Sequence, residues 1–163
     1  MELKEALYTR RAVRSFRRTS VDPGLIAQVI DAATYAPSAM NAQPWVFAVM
    51  DDADMIAGLS RRTKAYLLDN LDGMPPLKTY RDTFADPKFD IFYGAPAVVI
   101  ICAKPNLSPT ADTDCAMAAQ NLMLAARGLG LGSCWIGFAA IYLAGAAAKQ
   151  ELGIPVDYTV VAP

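Results

Sequence analysis

The 163-residue sequence contains no histidine. This absence excludes catalytic triads that need an imidazole base and metal sites built on imidazole ligands, so we expect no bound metal. Charged residues make up only 19% of the chain, and 15 Lys and Arg against 16 Asp and Glu leave a formal net charge of −1. Such a balance gives no overall field that would attract nucleic acid or an acidic membrane surface. We expect neither as a partner.

Cysteine is scarce as well. The three cysteines, Cys102, Cys115 and Cys134, are odd in number, far apart in sequence and surrounded by apolar residues. This pattern favours buried reduced thiols over disulfides, and it therefore favours the cytoplasm. The first residues of the chain also lack the pattern of a secretory signal.

Apolar residues are abundant, at 54% of the chain. A chain of this length is expected to form a single domain over residues 1–163, and such a domain can bury a full core without disulfides or metals. The apolar content indicates either a buried subunit contact or an unusually apolar core. The most apolar helical run spans residues 116–126, but Gln120, Asn121 and Arg127 make it a core or interface helix and not a membrane span.

Hydrophobic spacing and turn residues predict alternating helices and strands. Helices are predicted over residues 2–9, 22–35, 52–62 or beyond, 112–127 and 141–152, and strands over 45–50, 97–103, 133–136 and 158–161. Asp22 and Pro23 form a strong helix start, and Pro37 stops the same helix near Tyr35. Between Lys64 and Phe92 the pattern weakens, which is typical of a lid, a loop or a partly disordered stretch.

Three arginines, Arg10, Arg11 and Arg14, lie within five residues. Guanidinium groups match phosphate oxygens with paired hydrogen bonds. Arg10 and Arg14 would share a face of a helix, or would lie at a helix end and in the strand after it. Two charge-assisted hydrogen bonds at roughly 1.5–3 kcal/mol each would supply about two to four orders of magnitude in affinity. Taken alone, however, the arginines are better explained as a solvated basic face.

A polar loop follows the second predicted helix. Ser38, Asn41 and Gln43 offer groups that both donate and accept hydrogen bonds, which suits the alternating pyrimidine edge of a flavin. Pro37 and Pro44 stiffen the loop on both sides and lower the cost of ordering it. An ordinary connection between a helix and a strand explains the loop equally well.

A glycine-rich segment occupies residues 128–138. Gly137 has no side chain, so a ligand can approach its backbone closely. A structural turn is the favoured explanation for this segment by itself. It matches neither a phosphate-binding loop nor a dinucleotide fingerprint, because no Gly-Lys-Ser/Thr follows and its glycines come after a helix.

Together, Arg-Arg-x-x-Arg at residues 10–14, Ala-Pro-Ser-x-x-Asn-x-Gln-Pro-Trp at residues 36–45 and the glycine-rich segment resemble the FMN-dependent nitroreductase family. Ala95-Pro96 before a buried strand and the run at residues 118–122 extend the resemblance over nearly the whole chain. It implies an α+β three-layer fold, with a mostly antiparallel central sheet flanked by helices and a long apolar helix at a dimer interface.

The resemblance also implies an activity. Members of this family are homodimers with two FMN molecules at the subunit interface. NADH or NADPH reduces the FMN and leaves, and a nitro compound, a quinone or another small acceptor then takes the electrons in a ping-pong cycle. The chemistry occurs at flavin N5, so no catalytic side chain is expected. The alternatives are a flavin-binding protein or specialised relative without this turnover, and a cofactor-free interaction protein that keeps only the fold.

Specific cofactor contacts follow from the same resemblance. It implies that Arg10 and Arg11 hold the FMN phosphate region, that Arg14 faces the N1/O2 edge, and that the backbone N–H groups of Ile136 and Gly137 point at N5/O4. It also implies that a loop of the second subunit contacts the same flavin, through Pro37, Ser38, Ala39, Met40 and Asn41, and that Gln43 orders this loop. The remaining implied positions are Ala12 and Asn70, which has the spacing of an amide that reads the flavin ring.

The sequence departs from the family pattern at three places. Ala12 stands where a serine is common, which removes a hydrogen bond worth about 1 kcal/mol. Met40 follows Ala39 where two small residues are usual, and we expect it to narrow the space beside the flavin. Family members usually continue past the position of Pro163 into an arm that embraces the partner. Either the sequence is truncated at this point or the protein dispenses with the arm, and the difference bears on FMN affinity and dimer strength.

Overall fold

In the computed structural model, which describes residues 2–163, helices alternate with three strands. The helices are α1 Leu3–Thr9, α2 Pro23–Thr34, α3 Ala53–Asn70, α4 Arg81–Ala85, α5 Ala111–Gly128, α6 Gly137–Leu143 and α7 Ala146–Glu151, and the strands are β1 Trp45–Met50, β2 Val98–Ala103 and β3 Thr159–Ala162. Short 3-10 turns occupy Ala39–Asn41, Leu71–Gly73 and Pro75–Tyr80.

The sheet has helices on both faces. Its strand order is β1-β2-β3, and both pairings are antiparallel. Successive side chains of a strand point to opposite faces, so Val98 and Ile100 join a core with α3 and α6, whereas Ile101 and Ala103 join a second core with α2 and α5. The result is three layers with the sheet in the middle, and the predicted α+β fold class is confirmed.

The second helix shows how local sequence sets the boundaries. Asp22 caps the N-terminus of α2, because its carboxylate accepts a hydrogen bond of 2.8 Å from the backbone N–H of Gly24, and Pro23 occupies the first turn. Ile26, Val29 and Ala33 lie on its buried face. The helix ends at Thr34, three residues before Pro37, so both predicted boundaries are confirmed.

We expect Asp22→Ala to lower the free energy of unfolding by about 0.5–2 kcal/mol, because the first turn of α2 loses its capping acceptor. Urea denaturation followed by circular dichroism measures the change. Asp31→Ala, at an exposed position of the same helix, is the control and should leave the stability unchanged or slightly higher. Equal losses in the two variants would contradict the capping role.

Most of the segment between Lys64 and Phe92 is helical, so its prediction as a loop or partly disordered stretch is wrong, whereas a role as a lid stays a prediction. The third helix continues to Asn70, and the 3-10 turns and α4 follow it. Leu67, Leu71 and Phe84 are each at most 1% exposed and belong to the larger core. The weak periodicity reflects several short helical pieces after α3, each of which buries at most one side chain.

Two further predictions near the C-terminal end are wrong. Residues 133–136 form no strand; Ser133 makes one isolated parallel bridge to Ala12, and no second strand continues the pairing. The predicted helix over residues 141–152 is two helices, because the chain becomes extended at Gly145 (φ −71°, ψ 143°) between α6 and α7.

Two of the three cysteines are buried and reduced, as predicted. Burial raises the pKa of the Cys102 thiol to about 11 and that of the Cys115 thiol to about 12, because a thiolate is poorly solvated there. Cys134 is only half-buried, so the prediction that this cysteine is buried was wrong. Over residues 2–163, no helix combines the length and the apolar character that crossing a bilayer requires.

Candidate functional site

The arginine segment between α1 and α2 lies against the glycine-rich segment. Arg10 ends α1 in an extended conformation (φ −60°, ψ 133°), and the backbone N–H of Val13 donates to the carbonyl of Ser133 at 3.0 Å. The close contact between the two segments also requires a glycine at position 132, because a Cβ on Gly132 would lie 2.9 Å from Cγ2 of Val13. Two of the three segments singled out in the sequence are therefore neighbours in the fold.

Side chains alternate along this extended segment. Val13 is half-buried against Gly132, whereas Ala12 and Arg14 are exposed. Within residues 2–163 the Arg14 side chain makes no hydrogen bond or ion pair, so its guanidinium is free to bind a ligand. Arg10 and Arg14 thus correspond to the second of the two predicted arrangements, a helix end followed by extended chain.

Arg11 has a structural role. One of its terminal nitrogens donates to the carbonyls of Tyr8 (2.9 Å) and Arg10 (2.8 Å), at the C-terminal end of α1. A cation there satisfies carbonyls that have no partner within the helix, and it complements the helix dipole. The other Arg11 nitrogens are not used by this cap, and their contact with a phosphate stays a prediction.

A groove of about 900 Å³ runs beside the arginine segment. Its cationic lining consists of Arg10, Arg11, Arg17 and Arg127, and its apolar lining includes Ile26, Val29, Phe92, Leu122 and Ile136. The sequence analysis missed Arg17 and Arg127. Arg127, in the last turn of α5, has the pattern of a helix-end cation, and only the fold brings its Nε within 3.0 Å of Thr9 Oγ1.

The loop after α2 is held in an unusual backbone conformation. Met40 and Asn41 both have φ 54°, and Gln43 has φ 46°, in the left-handed region that non-glycine residues rarely adopt. Such residues cost about 1–3 kcal/mol each and concentrate at binding sites, with asparagine the most tolerant type. Met40 is 82% exposed, and the side chains of Asn41 and Gln43 also face solvent.

Hydrogen bonds fix this loop at two points. The Ser38 hydroxyl oxygen accepts from the backbone N–H of Gln43 at 3.0 Å, and the Asp114 carboxylate accepts from the backbone N–H of Ala39 at 3.3 Å. None of the predicted loop residues from Pro37 to Gln43 lines the groove that contains Arg10 and Ile136. A single chain therefore does not bring this third segment into that groove.

The two backbone donors predicted at the end of the glycine-rich segment differ. The N–H of Ile136 donates to the carbonyl of Pro163 at 2.9 Å, so it already has an acceptor, and its implied role toward N5/O4 stays a prediction. Gly137 begins α6, and its N–H has no acceptor within residues 2–163. A Cβ built on Gly137 would meet nothing within 4 Å, so open space lies over this backbone.

Asn70 does not line the groove that contains Arg10 and Ile136. It is the last residue of α3, it is exposed, and its side-chain N–H donates to the carbonyl of Tyr66 at 2.8 Å. Its amide oxygen has no donor among the described residues. The ring-reading role implied for Asn70 stays a prediction.

Comparison with known proteins identifies the relatives of this chain. The family model described as "Nitroreductase family" matches residues 7–162. A protein of Archaeoglobus fulgidus, named as an NADH dehydrogenase/NAD(P)H nitroreductase, is 32% identical over 98% of this chain and 80% of its own length. The 4-nitrobenzoate reductase of Pseudomonas putida is 31% identical over 77% of this chain and 68% of its own length.

Solved structures agree with the sequence comparison. The nitroreductase of Bacteroides fragilis, crystallised with bound FMN, superposes with a TM-score of 0.87 at 28% identity, over 99% of this chain and 85% of that one. An FMN-bound nitroreductase of Desulfitobacterium hafniense gives a TM-score of 0.83 at 24% identity, over 99% of this chain and 86% of that one. The match of the family model to nearly the whole chain, together with these folds, shows that the protein belongs to the nitroreductase family.

Proposed function

We propose that this protein is an FMN-dependent oxidoreductase that takes electrons from NADH or NADPH and passes them to a nitro compound, a quinone or a related small acceptor. Membership of the nitroreductase family supports the class of reaction, and relatives named as an NAD(P)H nitroreductase and a 4-nitrobenzoate reductase support the donor and one kind of acceptor. The FMN bound to the Bacteroides fragilis relative supports the cofactor.

One observation carries the proposal: the arginine segment, in which Arg11 and Arg14 are exposed, pairs with the glycine-rich segment through Ala12 and Ser133, and that second segment leads to Gly137, which has open space above it and a backbone N–H without an acceptor within residues 2–163. These features fit FMN, which has a flat ring with hydrogen-bond acceptors and an anionic phosphate. When bound, FMN supplies the hydride chemistry at N5. The residues of the chain bind and orient it.

Each residue has a distinct part in that binding. Arg10 holds the phosphate region, supported by the nitrogens of Arg11 that do not cap α1. Arg14 places a fixed positive charge at the N1/O2 edge, where it stabilises negative charge that accumulates on reduction. The N–H of Gly137 donates toward N5/O4. No side-chain acid or base is required.

A homodimer completes the site in this proposal. Only Ala6 of α1 is buried, and Leu3 and Tyr8 on the same helix are 69% and 70% exposed. Exposed apolar side chains of this kind favour a subunit contact. The loop that carries Met40 then borders the FMN held by the second copy, which agrees with its separation from Arg10 in one chain. The buried, reduced Cys102 and Cys115 support a cytoplasmic location.

Anaerobic reduction tests this function. Purified protein loaded with FMN should lose its yellow colour on addition of NADH or NADPH and regain it on addition of a nitro compound or a quinone. Initial rates measured at several donor and acceptor concentrations should follow ping-pong kinetics. Yellow protein that neither nucleotide bleaches would identify a flavin-binding protein without this turnover. Protein that takes up no FMN would identify a cofactor-free member of the fold.

A further inference from the structure

A buried carboxylate, Asp114, ties the loop after α2 to the rest of the fold. Asp114 lies in the first turn of α5 and is 1% exposed. Its Oδ1 accepts hydrogen bonds from the backbone N–H of Ala39 (3.3 Å) and the hydroxyl of Thr110 (3.3 Å), and its Oδ2 accepts one from the hydroxyl of Ser108 at 2.6 Å. The carboxylate therefore joins the loop after α2 to the segment that leads into α5.

This carboxylate is buried without a cation. No lysine or arginine forms an ion pair with Asp114 among the described residues. Removing a charge from water is costly unless hydrogen bonds and dipoles compensate it. Here three donors and the N-terminal end of α5 supply that compensation. The arrangement holds the carboxylate in one orientation and makes it a rigid anchor.

The anchored backbone is the part of the loop with left-handed residues. Ala39 begins the 3-10 turn that contains Met40 and Asn41, both at φ 54°. The other hydrogen bonds of residues 38–43, including that from Gln43 to Ser38, are internal to the loop. Asp114 thus provides the hydrogen bond that fixes this turn to the body of the protein, within residues 2–163.

We infer that Asp114 is a positioning residue of the flavin site: it fixes the backbone of Ala39–Asn41 in the conformation that contacts FMN. The inference rests on the proposed function, in which this loop borders the cofactor of the second copy. Asp114 itself touches no flavin in this arrangement, because it is buried beneath the turn. Its loss should change how tightly and in what environment the ring is held.

Asp114→Ala, Asp114→Asn and a matched control test the inference. Asp52→Ala is the control, because Asp52 also anchors a turn through a backbone N–H, that of Met55 (2.8 Å), at the N-terminus of α3 and outside the groove lined by Arg10. FMN affinity is measured by quenching of flavin fluorescence, and the ring environment by visible circular dichroism of the bound flavin. Thermal melts of the apoproteins compare the stability losses.

Asp114→Ala should weaken FMN binding about tenfold or more and alter the flavin dichroism, since a charge-assisted bond to the turn is lost. Asp114→Asn keeps one accepting oxygen for Ala39 and can donate to Ser108, so it should fall between wild type and the alanine variant. Asp52→Ala should keep wild-type affinity and dichroism, even at a similar loss of thermal stability.

The outcomes separate the two claims. Failure of the wild-type protein to bind FMN would overturn the proposed function. If wild-type protein binds FMN, unchanged affinity and dichroism in Asp114→Ala, or an equal change in Asp52→Ala, would overturn the positioning role alone. If the alanine variant does not fold, Asp114→Asn decides: a weaker affinity with altered dichroism supports the role, and wild-type values for both overturn it.

Discussion

Arg14→Ala is expected to raise the FMN dissociation constant by about 10- to 100-fold, because a charge-assisted hydrogen bond contributes roughly 1.5–3 kcal/mol. Arg14 is exposed and has no partner in residues 2–163, so its removal should cost the apoprotein little stability. The variant should also reduce more slowly with NADH or NADPH, since the positive charge that stabilises the reduced ring is gone. Fluorescence titration with FMN and stopped-flow reduction measure the two effects.

Arg62→Ala is the control for Arg14→Ala. Arg62 is also a surface arginine, but it forms an ion pair with Glu151 at a site that our proposal does not include. An exposed pair contributes about 0–1 kcal/mol to stability, and its loss should not change FMN affinity. Equal weakening of FMN binding in the two variants would show that Arg14 is placed wrongly.

Gly137→Val is expected to block the cofactor without harming the fold. The added Cβ would meet no protein atom within 4 Å, so folding stability should stay the same or rise, as a side chain at a helix start is tolerated. In the proposed complex the ring lies in that space. We expect FMN affinity to fall about tenfold or more, and reduction by NAD(P)H to slow by about 100-fold if the ring binds displaced.

Two comparisons sharpen this prediction. Gly137→Ala adds a smaller group and should give a smaller loss of affinity than valine. Gly128→Val is the matched control, since a Cβ at Gly128 also meets nothing within 4 Å, at the C-terminal end of α5. Wild-type FMN affinity in Gly137→Val, or an equal loss in Gly128→Val, would contradict a ring held against the backbone of Gly137.

The sequence predicted well those elements whose boundaries depend on local chemistry. Asp22 and Pro23 begin α2, Pro37 follows its end, and the predicted range of β1 agrees with the structure. In each of these cases the signal is a cap, a proline or an apolar run within a few residues. Such signals depend little on what the rest of the chain does.

Predictions failed where contacts between residues far apart in sequence determine the local structure. Leu67 and Phe84 are buried by packing against β2 and α6, which no pattern between residues 64 and 92 reveals. The apolar run at residues 133–136 has the composition of a strand, but its one bridge is to Ala12 and the N–H of Ile136 pairs with Pro163. A strand needs a continuous neighbour, and the fold provides none there.

The candidate site shows the same division. Its segments were recognised from residue types, because cations, amides and glycines have distinct chemistry. The groove position of Arg127 and the anchor at Asp114 depend on tertiary contacts that sequence spacing does not contain. Arg11 caps α1 through carbonyls one and three residues before it, a local role that residue types alone did not indicate. The sequence therefore predicted three segments for the candidate site, and the fold shows how each segment is held. Their contacts with FMN stay predictions.

The most direct test of the account is the number of FMN molecules that the protein binds. Purified protein is titrated with FMN, and visible absorbance and protein concentration are measured after removal of free flavin. We predict one FMN per chain, carried by a species with the mass of two chains. Protein that remains colourless after saturation with FMN would contradict the claim that Arg14, the Ala39–Asn41 turn and Gly137 surround one flavin.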